Sequence, residues 1–250
     1  MINLISKLSY LEFTDKMKVV YYDLETTGVN HSEKHKNVQI IQIGAVVEGS
    51  DESFSQYLIP TCDIEQESTK IHGIAVKGTG LSLHGKPLKC TEMSKGLQHF
   101  LKFLEDLGEP LILVGYNSRK FDDFVLCHNL LRCKIFPKKG VIEKLGDGQD
   151  IVGPVLRQWG VAKGGGVGVK LSLAVTKLLK EEQSFPHCAL TDAKYLRDVC
   201  QKVGDIKKSK VKDLLSEHLR DFSKVWKICL PMERSFQLSS HNLSDSDSDE

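Results

Sequence analysis

No run of this sequence is apolar for long enough to cross a bilayer, so no membrane partner is expected. No CxxC pair occurs among its 7 cysteines. Their odd number and their scatter exclude a disulfide framework or a zinc ribbon and point to a reducing compartment. Charge of one sign is lacking as well. The formal net charge is +1 over 250 residues, which carries no global signature of polyanion binding. That balance conceals an asymmetry: the last ten residues, HNLSDSDSDE, hold four acids and no Lys or Arg, leaving +5 on the rest. The opening MINLISKLSYLEFTDK is interrupted by Lys7, Glu12 and Asp15 and does not read as a signal peptide. The expectation is a soluble intracellular protein of the nucleus and/or cytoplasm. No internal repeat is present. The glycine-rich KGGGVGVK at 163–170 lacks the GK[ST] ending of a phosphate loop. It reads as a flexible loop, with Lys163 and Lys170 as its candidate phosphate contacts.

What is present reads as one domain. A hydrophobic fraction of 40% is ample for a core. Strands are predicted at 17–24, 37–49 and 53–60, the first three pairing as an antiparallel meander, and a fourth at 110–117. Leu97, Phe100, Leu101, Leu104 and Leu107 recur at helical spacing and predict a helix over 94–108, closed by Gly108 and Pro110. Further helices are predicted over 121–132, 150–160, 170–180, 190–204 and 210–227. Strands first, then alternation of helix and strand, imply an α/β fold with a mixed central β-sheet flanked by α-helices. Residues 1–16 read as an N-terminal extension, 17–230 as the domain, and 231–250 as a disordered acidic Ser/Asp tail. Trp159 and Trp226 read as packing residues. The basic KKSKVK at 207–212 is either a contact for a nucleic-acid backbone or a solvated helix start.

The segment VVYYDLETTG at 19–28 runs apolar and aromatic residues into Asp23 and Glu25. A strand has a side-chain period of two, so both carboxylates point to one face. Two like charges side by side repel, and a hard divalent cation between them is the usual remedy. More acids then have to arrive from other elements. Asp122, in VGYNSRKFDDF, opens a helix just after a strand. Asp192, in HCALTD, opens another, with His187 in the loop before it. Asp123 is the competing choice for Asp122. Four carboxylates suffice to hold two Mg²⁺ ions about 3.5–4 Å apart. A histidine that titrates near neutrality suits the role of taking a proton from water.

DLETTG, GYNSRKFD and HCALTD resemble, in order, the three exonuclease motifs of the DnaQ-like superfamily, and HCALTD has the H-x-x-x-x-D form of its DEDDh branch. The five-residue step from Asn117 to Asp122 is similar to that of the three-prime repair (TREX-type) exonucleases. A looser resemblance extends to the exonuclease-like domains of PML-type proteins. The resemblance covers roughly residues 17–204. It implies a ribonuclease-H-like fold and metal-dependent 3′→5′ removal of nucleotides from single-stranded or frayed DNA or RNA ends, DNA favoured. Asp23, Glu25, Asp122 and Asp192 would hold two Mg²⁺ ions, with Mn²⁺ able to substitute, and His187 would be the general base. STKIHGI resembles the family segment that wedges against the terminal base, which places His72, Gly73 and Ile74 near the 3′ end. By the same resemblance Leu24, Thr26 and Thr27 line that pocket and Asn117 forms its rim. TREX-type relatives also imply a homodimer. Two departures stand out: Tyr116 occupies a position where a histidine often precedes the motif asparagine, and no proline-rich insertion is evident.

Two other classes compete. A nucleic-acid-binding or scaffold module with the same fold and no turnover would show a lost metal ligand, and none of the five positions is substituted. A metal-dependent phosphotransferase or small-molecule phosphodiesterase on an unrelated fold would account for the acids but not for their order with the histidine.

Overall fold

The structure, a computed structural model, describes residues 16–29, 35–108, 110–161, 168–182 and 187–230. The N-terminal extension, apart from Lys16, the acidic tail, and most of the glycine-rich segment including Lys163 lie outside the described residues.

The strand β1 (Lys18–Thr26) forms the axis of the fold. It pairs antiparallel with β2 (Ile40–Val47), which pairs antiparallel with β3 (Ser53–Ile59), so the predicted meander is present. After β3 come α1 (Gln66–His72) and three short strands, β4 (Ile74–Lys77), β5 (Gly80–Leu83) and β6 (Lys86–Pro87), which pair only with one another. The chain returns through β7 (Cys90–Glu92) and α2 (Met93–Asp106) to β8 (Leu111–Gly115), parallel to β1. A 3₁₀ turn (Ser118–Lys120) and α3 (Asp122–Arg132) lead to β9 (Ile142–Asp147), parallel to β8. The remaining elements are α4 (Gly148–Gln158), α5 (Leu171–Ala174) with a π-helical turn (Val175–Leu179), α6 (Ala189–Lys207), α7 (Val211–Leu215), β10 (Arg220–Asp221) and a helix, α8, over 222–230. The main sheet runs β10-β9-β8-β1-β2-β3-β7.

Period-two alternation splits β1 between two cores. Val20, Tyr22 and Leu24 face α2 and α3, where Leu97, Phe100, Leu104, Val125 and Leu130 are buried. Val19 and Tyr21 face the opposite layer, with Val152, Leu156, Ala193 and Leu196 from α4 and α6. Both faces are covered, which is why the strand reads as a nearly continuous apolar run up to its acids. Continuing the alternation puts Asp23 and Glu25 on the α6 side. The parallel strands β1, β8 and β9 all end at one edge of the sheet, at Thr26, Gly115 and Asp147. That carboxyl edge is where open α/β sheets carry their ligands.

Two expectations need correction. The helix predicted over 210–227 is broken: α7 stops at Leu215, and Arg220 and Asp221 pair with Leu145 and Lys144 of β9 instead. Tertiary demand overrides helical periodicity there, because Arg220 also neutralises a buried acid. The strand predicted from residue 37 begins at Ile40, since Val38 and Gln39 are used by neighbouring turns. The strands β4–β6 and β9 had no counterpart in the periodicity. Among the described residues, no helix is long and apolar enough to cross a membrane.

Candidate active site

The acid face of β1 is completed by two helix starts. The first is α3. Asn117 adopts a left-handed conformation (φ 59°), and its N–H donates to Asp147 Oδ1 at 2.7 Å. Asp147 also caps α4 by accepting from Gln149 N–H at 3.0 Å. This carboxylate therefore fixes the turn between β8 and α3, and the turn delivers Asp122. Asp122 exerts the strongest influence of any neighbouring acid on Asp23. Asp123, one helical step further round, points the other way. Tyr22 Oη donates to its Oδ1 at 2.6 Å, and Arg220 ion-pairs with its Oδ2. Asp123 is thus engaged by Tyr22 and Arg220, and of the two consecutive acids it is Asp122 that acts on Asp23.

The second is α6. A Cβ on Gly44 would lie 2.1 Å from Leu190 N, so only glycine lets the start of α6 rest directly on β2. Gly44 is the register partner of Asp23. Gln42, the partner of Glu25, accepts from Ala189 N–H at 3.1 Å and holds the same helix end. His187 is left-handed (φ 63°) and exposed, and its N–H donates to Asp192 Oδ2 at 3.1 Å. One ligand atom each from Glu25, His187 and Asp192 lies within 4.8 Å of the other two.

This face is electrostatically unfavourable on its own. Burial pushes Asp23 well above the ordinary carboxylate range, and Asp122, Glu25 and Asp192 push it further. Burial raises Glu25 to about 9, reinforced by Asp192, Cys188 and Asp122. Asp122 rises to about 8, through burial and then Asp123. A divalent cation among these carboxylates would offset their repulsion, and an oxygen-rich donor set with one imidazole fits one. Beside the acids, a groove of about 690 Å³ is lined by Tyr116, Asn117, Lys120, Gln149, Lys170 and His187, among others. Lys170 therefore borders the site, and so does Asn117, the expected rim residue.

Other expected pocket residues are otherwise engaged. Leu24 is a correction: alternation sends its side chain away from Asp23 and Glu25 into the core with Tyr22 and Val38. Thr26 Oγ1 donates to the Gly28 carbonyl at 3.0 Å, and Thr27 Oγ1 accepts from Gln39 N–H at 3.0 Å. His72 Nδ1 accepts from Ile74 N–H at 3.0 Å, which leaves its Nε2 to donate to the Thr26 carbonyl at 3.3 Å. Gly73 is the left-handed cap of α1 (φ 72°). Ile74 is 1% exposed and packs with Ile41 and Leu81, so it is no surface wedge. His72, Gly73 and Ile74 thus anchor the small sheet to the residue after Glu25. Gly44, Gln42 and Asp147 were missed. A lone glycine inside a strand pattern does signal close backbone approach, whereas Gln42 and Asp147 give no local signal.

The family model for exonucleases, RNase_T, matches residues 20–200. The chain belongs to this exonuclease family and, with it, to the DnaQ-like superfamily. No curated protein matches the sequence. Among solved structures, the zinc-bound complex of E. coli exonuclease I with single-stranded DNA is 18% identical with a TM-score of 0.62, covering 81% of this chain and 43% of that one. Exonuclease I from Methylocaldum szegediense gives 18% and 0.61, covering 79% and 42%. E. coli exonuclease I with a dT13 oligonucleotide gives 18% and 0.59, covering 77% and 42%. These likenesses establish the fold, an α/β mixed sheet flanked by helices of the ribonuclease-H-like kind. The family model carries the superfamily and not its TREX-type branch. The chain spans less than half the length of the exonuclease I chains it matches.

Proposed function

We infer that this chain removes nucleotides from the 3′ ends of single-stranded or frayed nucleic acid, DNA in preference to RNA, by metal-dependent phosphodiester hydrolysis. The observation that carries the reading is the convergence of Glu25, His187 and Asp192 beside Asp23 and Asp122 at the carboxyl edge of the sheet. Asp23, Glu25, Asp122 and Asp192 are the residues that would hold two Mg²⁺ ions, or Mn²⁺ in their place. When bound, such ions polarise the phosphoryl group, lower the pKa of the attacking water and stabilise the leaving oxygen. His187 takes the proton of that water. Its exposed place at the mouth of the site suits a base that meets solvent and substrate together. Asp192 does double work, because its carboxylate also fixes the His187 backbone. Lys120 and Lys170 neutralise substrate phosphates along the groove. Water oxygen bonds to phosphorus, the bond from phosphorus to the 3′-oxygen breaks, and a 5′-nucleotide leaves.

The test uses 5′-labelled single-stranded DNA and RNA oligonucleotides with Mg²⁺, with EDTA, and with Asp23→Ala as control. A ladder shortening from the 3′ end, lost in EDTA and in the variant, is the expected result. No cleavage with retained binding would instead identify a silent nucleic-acid-binding module.

A further inference from the structure

The groove beside the acids takes its lining from two stretches far apart in the chain: the turn after β8, and the segment from Gly168 into the start of α5. Each brings one exposed lysine, Lys120 or Lys170, to a groove that also reaches His187 and Asp192. The first stretch is held by Asp147 directly. Its Oδ1 accepts from Asn117 N–H at 2.7 Å, and its Oδ2 from Arg119 N–H at 3.4 Å.

The second stretch is reached through Gln149. Asp147 Oδ1 also accepts from Gln149 N–H at 3.0 Å, and Gln149 Nε2 donates to the Val169 carbonyl at 3.1 Å. That carbonyl belongs to the peptide unit that joins Val169 to Lys170. A Cβ on Gly168 would come within 2.6 Å of Gln149 Nε2, so the chain passes directly over the amide. The sequence shows why a tie matters here. Residues 164–170 read GGGVGVK, and a glycine-rich chain has the most backbone freedom to lose. Val169, at 4% exposure, sets how deep the segment sits. The bond from Gln149 restrains the peptide plane, and with it the direction in which Lys170 leaves the backbone.

We propose that Gln149 is a positioning residue, which through the Val169 carbonyl sets Lys170 against a phosphate of the strand in the groove. The proposal rests on the exonuclease reading for the groove as the strand's path, and on these hydrogen bonds for the positioning. Asp147, holding Asn117 on one side and Gln149 on the other, then registers both lysines to one carboxylate.

The experiment is a double-mutant cycle, read by fluorescence anisotropy of a labelled dT20 in EDTA from 50 to 200 mM salt. It compares wild type, Gln149→Leu, Lys170→Ser and the two combined. One lost phosphate contact on a single strand lowers the salt slope by about 0.7, so wild-type affinity should fall roughly 2.6-fold further than that of Lys170→Ser across this range. Gln149→Leu, which leaves the charge of Lys170 in place, should lower the slope in the same direction. So should Gln149→Asn, whose amide is too short to reach Val169. In the Lys170→Ser background Gln149→Leu should add nothing, whereas its loss should add in full to that of Lys120→Ser. A wild-type slope in both Gln149 variants, a loss that adds in full to that of Lys170→Ser, or a wild type that does not bind dT20 overturns the proposal. Cleavage is scored separately in Mg²⁺. A wild type that binds dT20 and shows the coupling, yet does not shorten it, defeats the exonuclease reading and leaves the positioning role standing.

Discussion

The two faces of β1 treat buried acid in opposite ways. On one side Asp123, with no exposed side-chain surface, is satisfied within the protein by Tyr22 and Arg220. On the other, Asp122, Glu25 and Asp192 add repulsion to the cost of burying Asp23, and Asp192, Cys188 and Asp122 do the same to Glu25. Asp122 and Asp123 are adjacent in sequence and share a helix, so local sequence is not what separates them. The difference lies in what each side supplies. A buried acid with an arginine is a structural element. Buried acids that only repel one another are kept for a partner from outside the chain, and an active site is where such perturbed carboxylates gather.

Substitutions sharpen that contrast. The largest effect expected is at Asp23→Ala, which should abolish nucleotide release while circular dichroism shows an intact fold. A variant that cleaves at the wild-type rate would sink the site assignment. His187→Ala should slow single-turnover cleavage by roughly 10²–10⁴-fold, as for a lost general base, and leave oligonucleotide affinity in place. On the compensated face, Asp123→Ala leaves the Arg220 charge without its partner and should cost about 3–5 kcal/mol in urea unfolding. An unchanged midpoint would mean that the ion pair contributes nothing. Gly44→Ala should cost roughly 1–3 kcal/mol by forcing α6 off β2, and should lower activity with it. The remaining effect is a trend with pH. Carboxyl groups raised in the folded state stabilise it most below their unfolded values, and that contribution fades as pH climbs toward 8 or 9. In EDTA the Tm of wild type relative to Asp122→Asn should therefore fall from pH 5 to pH 9, and Mg²⁺ should flatten the difference.

Much of this was legible in the sequence. Period two alone places Asp23 and Glu25 on one face, and the apolar spacing of Leu97, Phe100, Leu101 and Leu104 marks α2. These signals are local and repeat within one element. What escaped depends on contacts far apart in the chain. The segment 210–227 has helical periodicity, yet Arg220 leaves the helix to reach Asp123. VIEKLGD lacks clean alternation because β9 is covered on both faces only in part. Likeness alone makes Leu24 a pocket residue, although the same period of two that aligns the acids puts it in the core. Gln42 and Asp147 look like ordinary polar residues until the fold shows which backbone groups they hold.

The most direct test of the account is a titration of Mn²⁺, followed by electron paramagnetic resonance, into wild type, Asp122→Asn and Asp123→Asn. The account predicts two bound ions in wild type, a lost ion in Asp122→Asn, and wild-type occupancy in whatever Asp123→Asn protein remains folded. Asp122→Asn binding Mn²⁺ as wild type does would contradict it.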